Sequence, residues 1–198
     1  MRVLPPIAVT DATLTSSTIA EPDTGETVWA AGTYATGVQR ISTVTHRVYE
    51  VVATTSTTAD PVVGVLAVPP SWSDVGPTNK WAMFDTVIGT VSTDNLNLSV
   101  ELDPNKLVNG VAGFNINGAA SINVTMTDPI EGVIYNNDLS MLDDSLVSDF
   151  YEYFFEPIIN ITSFVLLDLP AYPTASVSFT VTGSGSVSVG TLVYGSQI

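Results

Sequence analysis

The sequence predicts an all-β protein in which a small N-terminal β module precedes an antiparallel, jelly-roll-like β-sandwich. Hydrophobic residues make up 45% of the 198 residues and charged residues only 13%, roughly half the charged share of an ordinary globular domain. A disordered chain has the opposite balance, so a packed core is expected. Surface polarity must come mainly from Thr, Ser and Asn, which suit strands and turns.

A regular alternation of apolar and polar residues is the second observation behind this prediction. It has the period of two that a half-buried strand requires, and it runs through residues 96–102, 122–127 and 177–182. Gly, Pro, Asn and Asp separate the strands, as in antiparallel sandwiches and jelly rolls. Gly183, Ser184 and Gly185 predict a hairpin turn between two strands. Only residues 139–147 could form a helical turn or two.

The composition divides the chain into an extended N-terminal arm (1–24), a small β module (25–83) and the sandwich (84–198). Pro5 and Pro6 favour an extended arm, because proline fixes its own φ and biases its predecessor away from helix. The arm lies either on its own domain or on a neighbouring subunit.

Within the small module, two β-rich runs predict a hairpin, and they span residues 38–44 and 47–52. Residues 69–77 contain several turn formers, which favour a small meander over a helix.

The charge excludes several classes of partner. The formal net charge is -15, and the chain has only five Lys and Arg residues. Nucleic-acid binding needs a basic patch, which five such residues cannot build, and anionic membrane surfaces are disfavoured for the same reason. No apolar window approaches the roughly 20 residues of a membrane helix. We therefore expect a soluble protein without membrane insertion, drawn toward basic partners if any.

The sequence predicts no catalytic site, no cofactor and no metal. His46 is the single histidine, and Cys is absent, so a nucleophile–base triad and a zinc site both lack their usual residues. His46 falls in the hairpin connection and is expected to be a solvated turn residue. Two alternatives stay open: a carboxylate pair for glycoside hydrolysis, and calcium bound near 136–138 and 143–144.

Four aromatic residues form the constellation with most functional promise: Trp29, Tyr34, Tyr49 and Trp72. In so small a module such rings are either the core itself or an exposed platform. Flat aromatic faces stack on the apolar faces of sugars and also anchor protein interfaces.

Part of the module resembles the chitin-binding-type carbohydrate module of bacterial glycoside hydrolases. The similar segments are 29–38 (WAAGTYATGV), 46–50 (HRVYE) and 69–72 (PPSW). The resemblance implies a compact β fold with exposed aromatic rings that stack on sugars. On the matching positions of this sequence, the implied binding residues are Trp29, Tyr34, Tyr49 and Trp72.

Nearly the full length also resembles tail-associated virion proteins of tailed bacteriophages. The segments that carry this are 4–12, 14–18, 72–85, 167–170 and 190–195. The resemblance implies a virion component of the tail or neck, made in the host cytoplasm. Its implied partners are tail, connector or fibre subunits and further copies of itself in a ring or multimer.

The sequence thus leads to three functional hypotheses. The first is a non-enzymatic structural protein that attaches tail components or fibres to one another. The alternative is a carbohydrate-binding module that contacts glycans of the host surface. The third, a sugar-active enzyme, is the least favoured, because the 20 acidic residues are scattered and many of them fall at turns.

Overall fold

The computed structural model describes residues 3–85, 87–143, 154 and 159–197. They confirm the predicted all-β, antiparallel fold. The chain folds into two compact units, Ala20–Thr90 and Met1–Ile19 with Val91–Ile198, which we call the small unit and the sandwich unit. Among the described residues, no helix is long and apolar enough to cross a bilayer.

The strands of the small unit are β2 to β6, and those of the sandwich unit are β1 and β7 to β13. In chain order they are β1 (Leu14–Ser17), β2 (Tyr34–Ala35), β3 (Gln39–Ser42), β4 (Arg47–Val51), β5 (Ser56–Thr57), β6 (Trp72–Pro77), β7 (Ser92–Leu102), β8 (Gly110–Asp128), β9 (Gly132–Ser140), β10 (Leu142–Asp143), β11 (Ile159–Asn160), β12 (Ser163–Leu166) and β13 (Ser176–Gly195). A one-turn helix, α1 (Pro61–Gly64), and a 3₁₀ turn (Ala82–Phe84) complete the described elements.

The sandwich unit is built on one antiparallel sheet in the order β1-β7-β13-β8-β12, with β9 also paired to β8. Strands β8 and β13 have 19 and 20 residues and pair along almost their whole length. Their inward side chains are buried and apolar, among them Val124, Val177 and Phe179. The two long strands therefore form the central pair of this sheet.

A bend in the middle of β8 and β13 folds this sheet over itself. Gly118 has φ +73°, and a Cβ atom there would collide with the carbonyl oxygen of Ser186. Phe164 pairs with Gly113, before the bend, and Phe179 pairs with Val124, beyond it. Their rings nevertheless stack with centroids 5.7 Å apart, so the two halves of the sheet face each other as the layers of a sandwich.

The predicted hairpin turn at Gly183 is wrong. β13 continues through this position, and its partners run on along β8 from Ser121 to Ala119 and Asn117. The pairing register shifts here instead of reversing, which is a bulge of the kind that bends a strand. Gly183 is needed because a Cβ atom there would collide with the backbone of Gly118.

The arm lies on the sandwich unit of its own chain, one of the two arrangements that the sequence leaves open. β1 pairs antiparallel with β7 at the edge of the sheet. Closer to the N-terminus, the amide of Ile7 donates to the carbonyl of Tyr194 at 2.9 Å.

The boundaries between the two units differ from the predicted 24/25 and 83/84. Residues 20–24 belong with the small unit, and the second part of the sandwich unit begins at Val91.

Two sequence features fall wholly or partly outside the described residues. The stretch 139–147, which could form a helical turn, instead supplies the end of β9 and all of β10, and residues 144–147 lie outside the description. Of the apolar run 151–155, only Phe154 is described.

The small unit contains a three-stranded sheet, β3-β4-β6, and a separate pair, β2-β5. The predicted hairpin is present, with Gln39 opposite Glu50 and Ser42 opposite Arg47. Between β5 and β6 the chain forms α1, which the sequence does not indicate. Asp60 starts this turn by accepting a hydrogen bond from the Val62 amide at 2.9 Å, and Pro61 at the first helical position suits it.

Candidate ligand-binding site

The structure places Tyr49 and Trp72 in the core of the small unit. They are 5% and 1% exposed and form a buried cluster with Val51. The Trp72 ring nitrogen Nε1 donates to the carbonyl of Ala59 at 2.9 Å. Neither ring therefore presents a face to a ligand in this structure.

Tyr34 is half-buried and packs on the edge of this core. Its ring centroid lies 5.7 Å from that of Trp72 in an edge-on arrangement, and its hydroxyl donates to the carbonyl of Ala30 at 2.6 Å. The Arg40 guanidinium carbon lies 4.8 Å from the ring centroid, within cation–π distance. One face of Tyr34 is thus already covered.

Trp29 packs against the same core cluster as Tyr34, but unlike Trp72 and Trp81 it is only half-buried. Its amide donates to the Ile41 carbonyl at 2.9 Å, which fixes the backbone beside the end of β3. The side chain is half-buried, and among the described residues its ring nitrogen has no hydrogen-bond acceptor. By contrast, Trp72 donates to Ala59, and Trp81 donates to a carboxylate oxygen of Glu21 at 3.0 Å.

Trp29 forms a wall of a cavity of about 240 Å³, which we call the Trp29 pocket. Its lining combines one aromatic ring, four aliphatic side chains, two hydroxyl groups and one carboxyl group: Val28, Trp29, Ile41, Ser42, Thr43, Val44, Asp60 and Pro61. A mostly apolar lining with a few polar groups is typical of small-molecule sites. The geometry thus combines one of the four predicted aromatic residues with polar side chains from β3 and the start of α1.

Sequence reasoning missed the other residues that line this pocket. Asp60 looks like one of many turn aspartates, and Ser42 and Thr43 like the end of a strand. Trp29 is brought next to β3 by the parallel bridge between Val28 and Ile41. A single isolated bridge leaves no periodic pattern in the sequence.

His46 is part of a hydrogen-bonded cluster and is not the solvated turn residue that the sequence predicts. Its ring stacks on Trp81 with centroids 4.1 Å apart, and its Nδ1 lies 2.9 Å from Oε2 of Glu21. The other oxygen of Glu21 accepts from the Thr78 hydroxyl at 2.8 Å. The cluster ties the first residues of the small unit to its last ones.

The region considered for calcium is occupied by internal hydrogen bonds. The Asn123 side-chain amide donates to Asn136 and Asp138, each at 2.7 Å. Within the part of the chain that the structure describes, no group of three or more His, Cys, Asp or Glu residues could hold a metal ion.

The fold and the pocket define a two-unit, antiparallel β protein with an aromatic-walled cavity in the smaller unit. No protein-family model and no curated protein matches the chain. Among solved structures it is similar to chitosan-binding module 1 of a chitosanase/glucanase from Paenibacillus sp. IK-5, at 10% identity and a TM-score of 0.37, covering 57% of this chain and 81% of that one.

Two further solved structures show comparable similarity. For CpGH89CBM32-6 produced by Clostridium perfringens, the identity is 10% and the TM-score 0.37, over 59% of this chain and 83% of that one. For reduced XRCC1 bound to the DNA polymerase β catalytic domain, the identity is 13% and the TM-score 0.33, over 51% of this chain and 74% of that one.

Proposed function

We propose that this chain is a non-catalytic binding protein that recognises carbohydrate through the Trp29 pocket. The observation that carries the proposal is the position of Trp29. Its ring packs on the core of the small unit and also lines a cavity beside a carboxyl group and two hydroxyl groups, while its buried N–H has no acceptor among the described residues.

The chemistry of the lining matches that of a sugar ring. A pyranose has an apolar face of C–H groups, which packs on an aromatic ring, and an edge of hydroxyl groups, which pairs with polar side chains. Trp29 supplies the first kind of contact, and Ser42, Thr43 and Asp60 supply the second. The cavity of about 240 Å³ lies below the range of about 300–1,000 Å³ for drug-sized ligands, which suits a single sugar unit at its deepest point.

The same lining supports binding without turnover. Glycoside hydrolysis uses two carboxyl groups that flank the scissile bond. In the part of the chain that the structure describes, Asp60 is the one carboxyl group that lines the Trp29 pocket. We therefore propose recognition of the glycan, not its cleavage.

The test is a glycan array followed by isothermal titration of the full chain with any glycan that binds. We expect Trp29→Ala to weaken binding at least about tenfold, because stacking and apolar burial are both lost. Phe114→Ala is the matched control, since Phe114 is an exposed aromatic residue (43%) of the sandwich unit. Absence of binding to every glycan by the wild-type chain, or equal binding by Trp29→Ala, would overturn the proposal.

A second candidate function is the attachment role in a virion tail or neck, with copies of this chain, tail, connector or fibre subunits as partners. It is favoured by an exposed apolar area on the sandwich unit. Phe114 and Val165 are 43% and 54% exposed. They share one face of the sheet, because Val165 pairs with Ala112, two residues from Phe114. Exposed apolar side chains that adjoin one another are typical of protein interfaces.

A further inference from the structure

We infer that the Trp29 pocket selects sugars that carry a free, protonated amino group over neutral, N-acetylated or acidic sugars. This inference rests on the proposed carbohydrate-binding function and adds to it the class of ligand. Its basis is the charge inside the pocket and the way in which the two arginines of the small unit are already used.

The Trp29 pocket is negatively charged. Asp60 is the one ionisable group among the described residues of its lining, and a carboxylate in a partly apolar wall attracts a cation more strongly than one in open water. An acidic sugar would meet this charge without a basic side chain in the described lining to offset it. The formal charge of -15 on the whole chain adds to the repulsion.

The two arginines of the small unit already have partners. Arg47 Nε lies 2.5 Å from Oδ2 of Asp74, and this hydrogen bond raises the pKa of the Arg47 guanidinium. Arg40 lies over the Tyr34 ring and donates to the Gln39 carbonyl at 2.6 Å. Neither side chain belongs to the described lining of the pocket, so neither neutralises Asp60 from within it.

Asp60 retains capacity for a ligand. Its Oδ1 accepts from the Val62 amide at 2.9 Å, which leaves the other oxygen without a hydrogen-bond partner among the described residues. An ionised carboxylate accepts up to about four hydrogen bonds, and an ammonium group donates three. The sugar ring would lie on Trp29 with its ammonium group directed at Asp60, and the ring face of Trp29 adds an attraction for the cation.

The experiment compares tetramers of glucosamine, N-acetylglucosamine and glucose by isothermal titration of the full chain at pH 5.5. We expect the glucosamine tetramer to bind about tenfold more tightly than the other two, as a charge-assisted hydrogen bond provides. This preference should shrink as the salt concentration rises from about 0.01 M to about 0.15 M, because screening weakens the ion pair.

Asp60→Asn is the decisive variant. Asparagine caps a helix as well as aspartate does, so the start of α1 is kept while the charge is lost. We expect this variant to bind all three tetramers equally, at the wild-type affinity for the glucose tetramer. Asp94→Asn is the matched control, because the Asp94 side chain likewise accepts from a nearby backbone amide, that of Asn95 at 2.7 Å.

The outcomes separate this inference from the function on which it rests. Equal affinity of the wild type for all three tetramers overturns the amino-sugar preference and leaves carbohydrate binding standing. No binding of any tetramer, in a chain whose glycan array is also blank, overturns the proposed function. Equally tight binding of tetralysine, lost in Asp60→Asn, would show that the pocket recognises the amine without the sugar and would also overturn the inference.

Discussion

At the scale of single residues, the acidic side chains of this chain differ in what they do. Asp128, the buried last residue of β8, accepts hydrogen bonds from the amides of Ile130 and Glu131 at 2.9 and 3.0 Å. The Thr174 hydroxyl donates to its other oxygen at 2.6 Å. Asp128 is therefore a structural residue that holds the turn after β8, whereas Asp60 keeps an oxygen available for a ligand.

The first prediction concerns acid stability. The Thr174 hydrogen bond, and then the two amide hydrogen bonds, lower the pKa of Asp128. Since the folded-state pKa lies below the unfolded value of about 3.9, this carboxylate stabilises the fold above that pH. The contribution is lost as the pH falls through the lower, folded-state pKa. In urea titrations between about pH 2 and pH 5, Asp128→Asn should show a weaker loss of unfolding free energy on acidification than the wild type.

Thr174→Val provides the companion measurement. It removes the largest cause of the lowered pKa while leaving both amide hydrogen bonds, so its acid dependence should lie between those of the wild type and Asp128→Asn. Identical acid dependence in all three proteins would show that Asp128 carries no such linkage.

At the scale of elements, the long strands β8 and β13 depend on glycine where they bend. Gly118→Ala should destabilise the sandwich unit by at least about 2 kcal/mol, from a disfavoured left-handed backbone and a collision with Ser186. Gly185→Ala is the matched control, because a Cβ atom added at Gly185 would meet no other atom within 4 Å and the backbone there is not left-handed. Chemical denaturation followed by circular dichroism measures both; similar midpoints for the two variants would contradict this account of the bend.

The sequence predicts the strands better than it predicts their connections. Alternation locates the inner parts of β7, β8 and β13, because burial of one face imposes a local period of two. It cannot show that Gly183 is a bulge instead of a turn, since both use the same residue type and only the partner strand distinguishes them. The one-turn helix α1 is missed for a similar reason: Asp60 and Pro61 are equally suited to a turn.

The candidate site is predictable only in part. The sequence identifies four aromatic residues but cannot tell which of them lie in the core. In so small a module, a buried tryptophan and an exposed one can have similar neighbours in the sequence. Tyr49 on β4 and Trp72 on β6 form the core of the small unit, and Trp29 packs on that core and also lines the Trp29 pocket. The bridge from Val28 to Ile41 that brings Trp29 to β3 leaves no pattern in the local sequence. Sugar binding by Trp29 and Tyr34 stays a prediction.

At the scale of the whole molecule, the exposed apolar area of the sandwich unit bears on assembly. If copies of the chain associate there, Val165→Asp should shift the oligomer to the monomer in size-exclusion chromatography with light scattering, because a buried unpaired charge disfavours the interface. Val133→Asp, on β9, is the control, since Val133 is exposed to a similar degree (64% against 54%). A wild-type chain that is monomeric at all concentrations would contradict self-association through this face.

The cluster around Glu21 has a consequence for the architecture of the chain. Residues 20–90 interrupt the sequence of the sandwich unit between Ile19 and Val91. Glu21, near the entry of this interruption, is bonded to Thr78 and Trp81, near its exit. Side-chain hydrogen bonds therefore hold the beginning and the end of the small unit together. Replacement of residues 20–90 by a short linker between Ile19 and Val91 should therefore leave the pairing of β1 with β7 intact, because that pairing lies wholly within the sandwich unit.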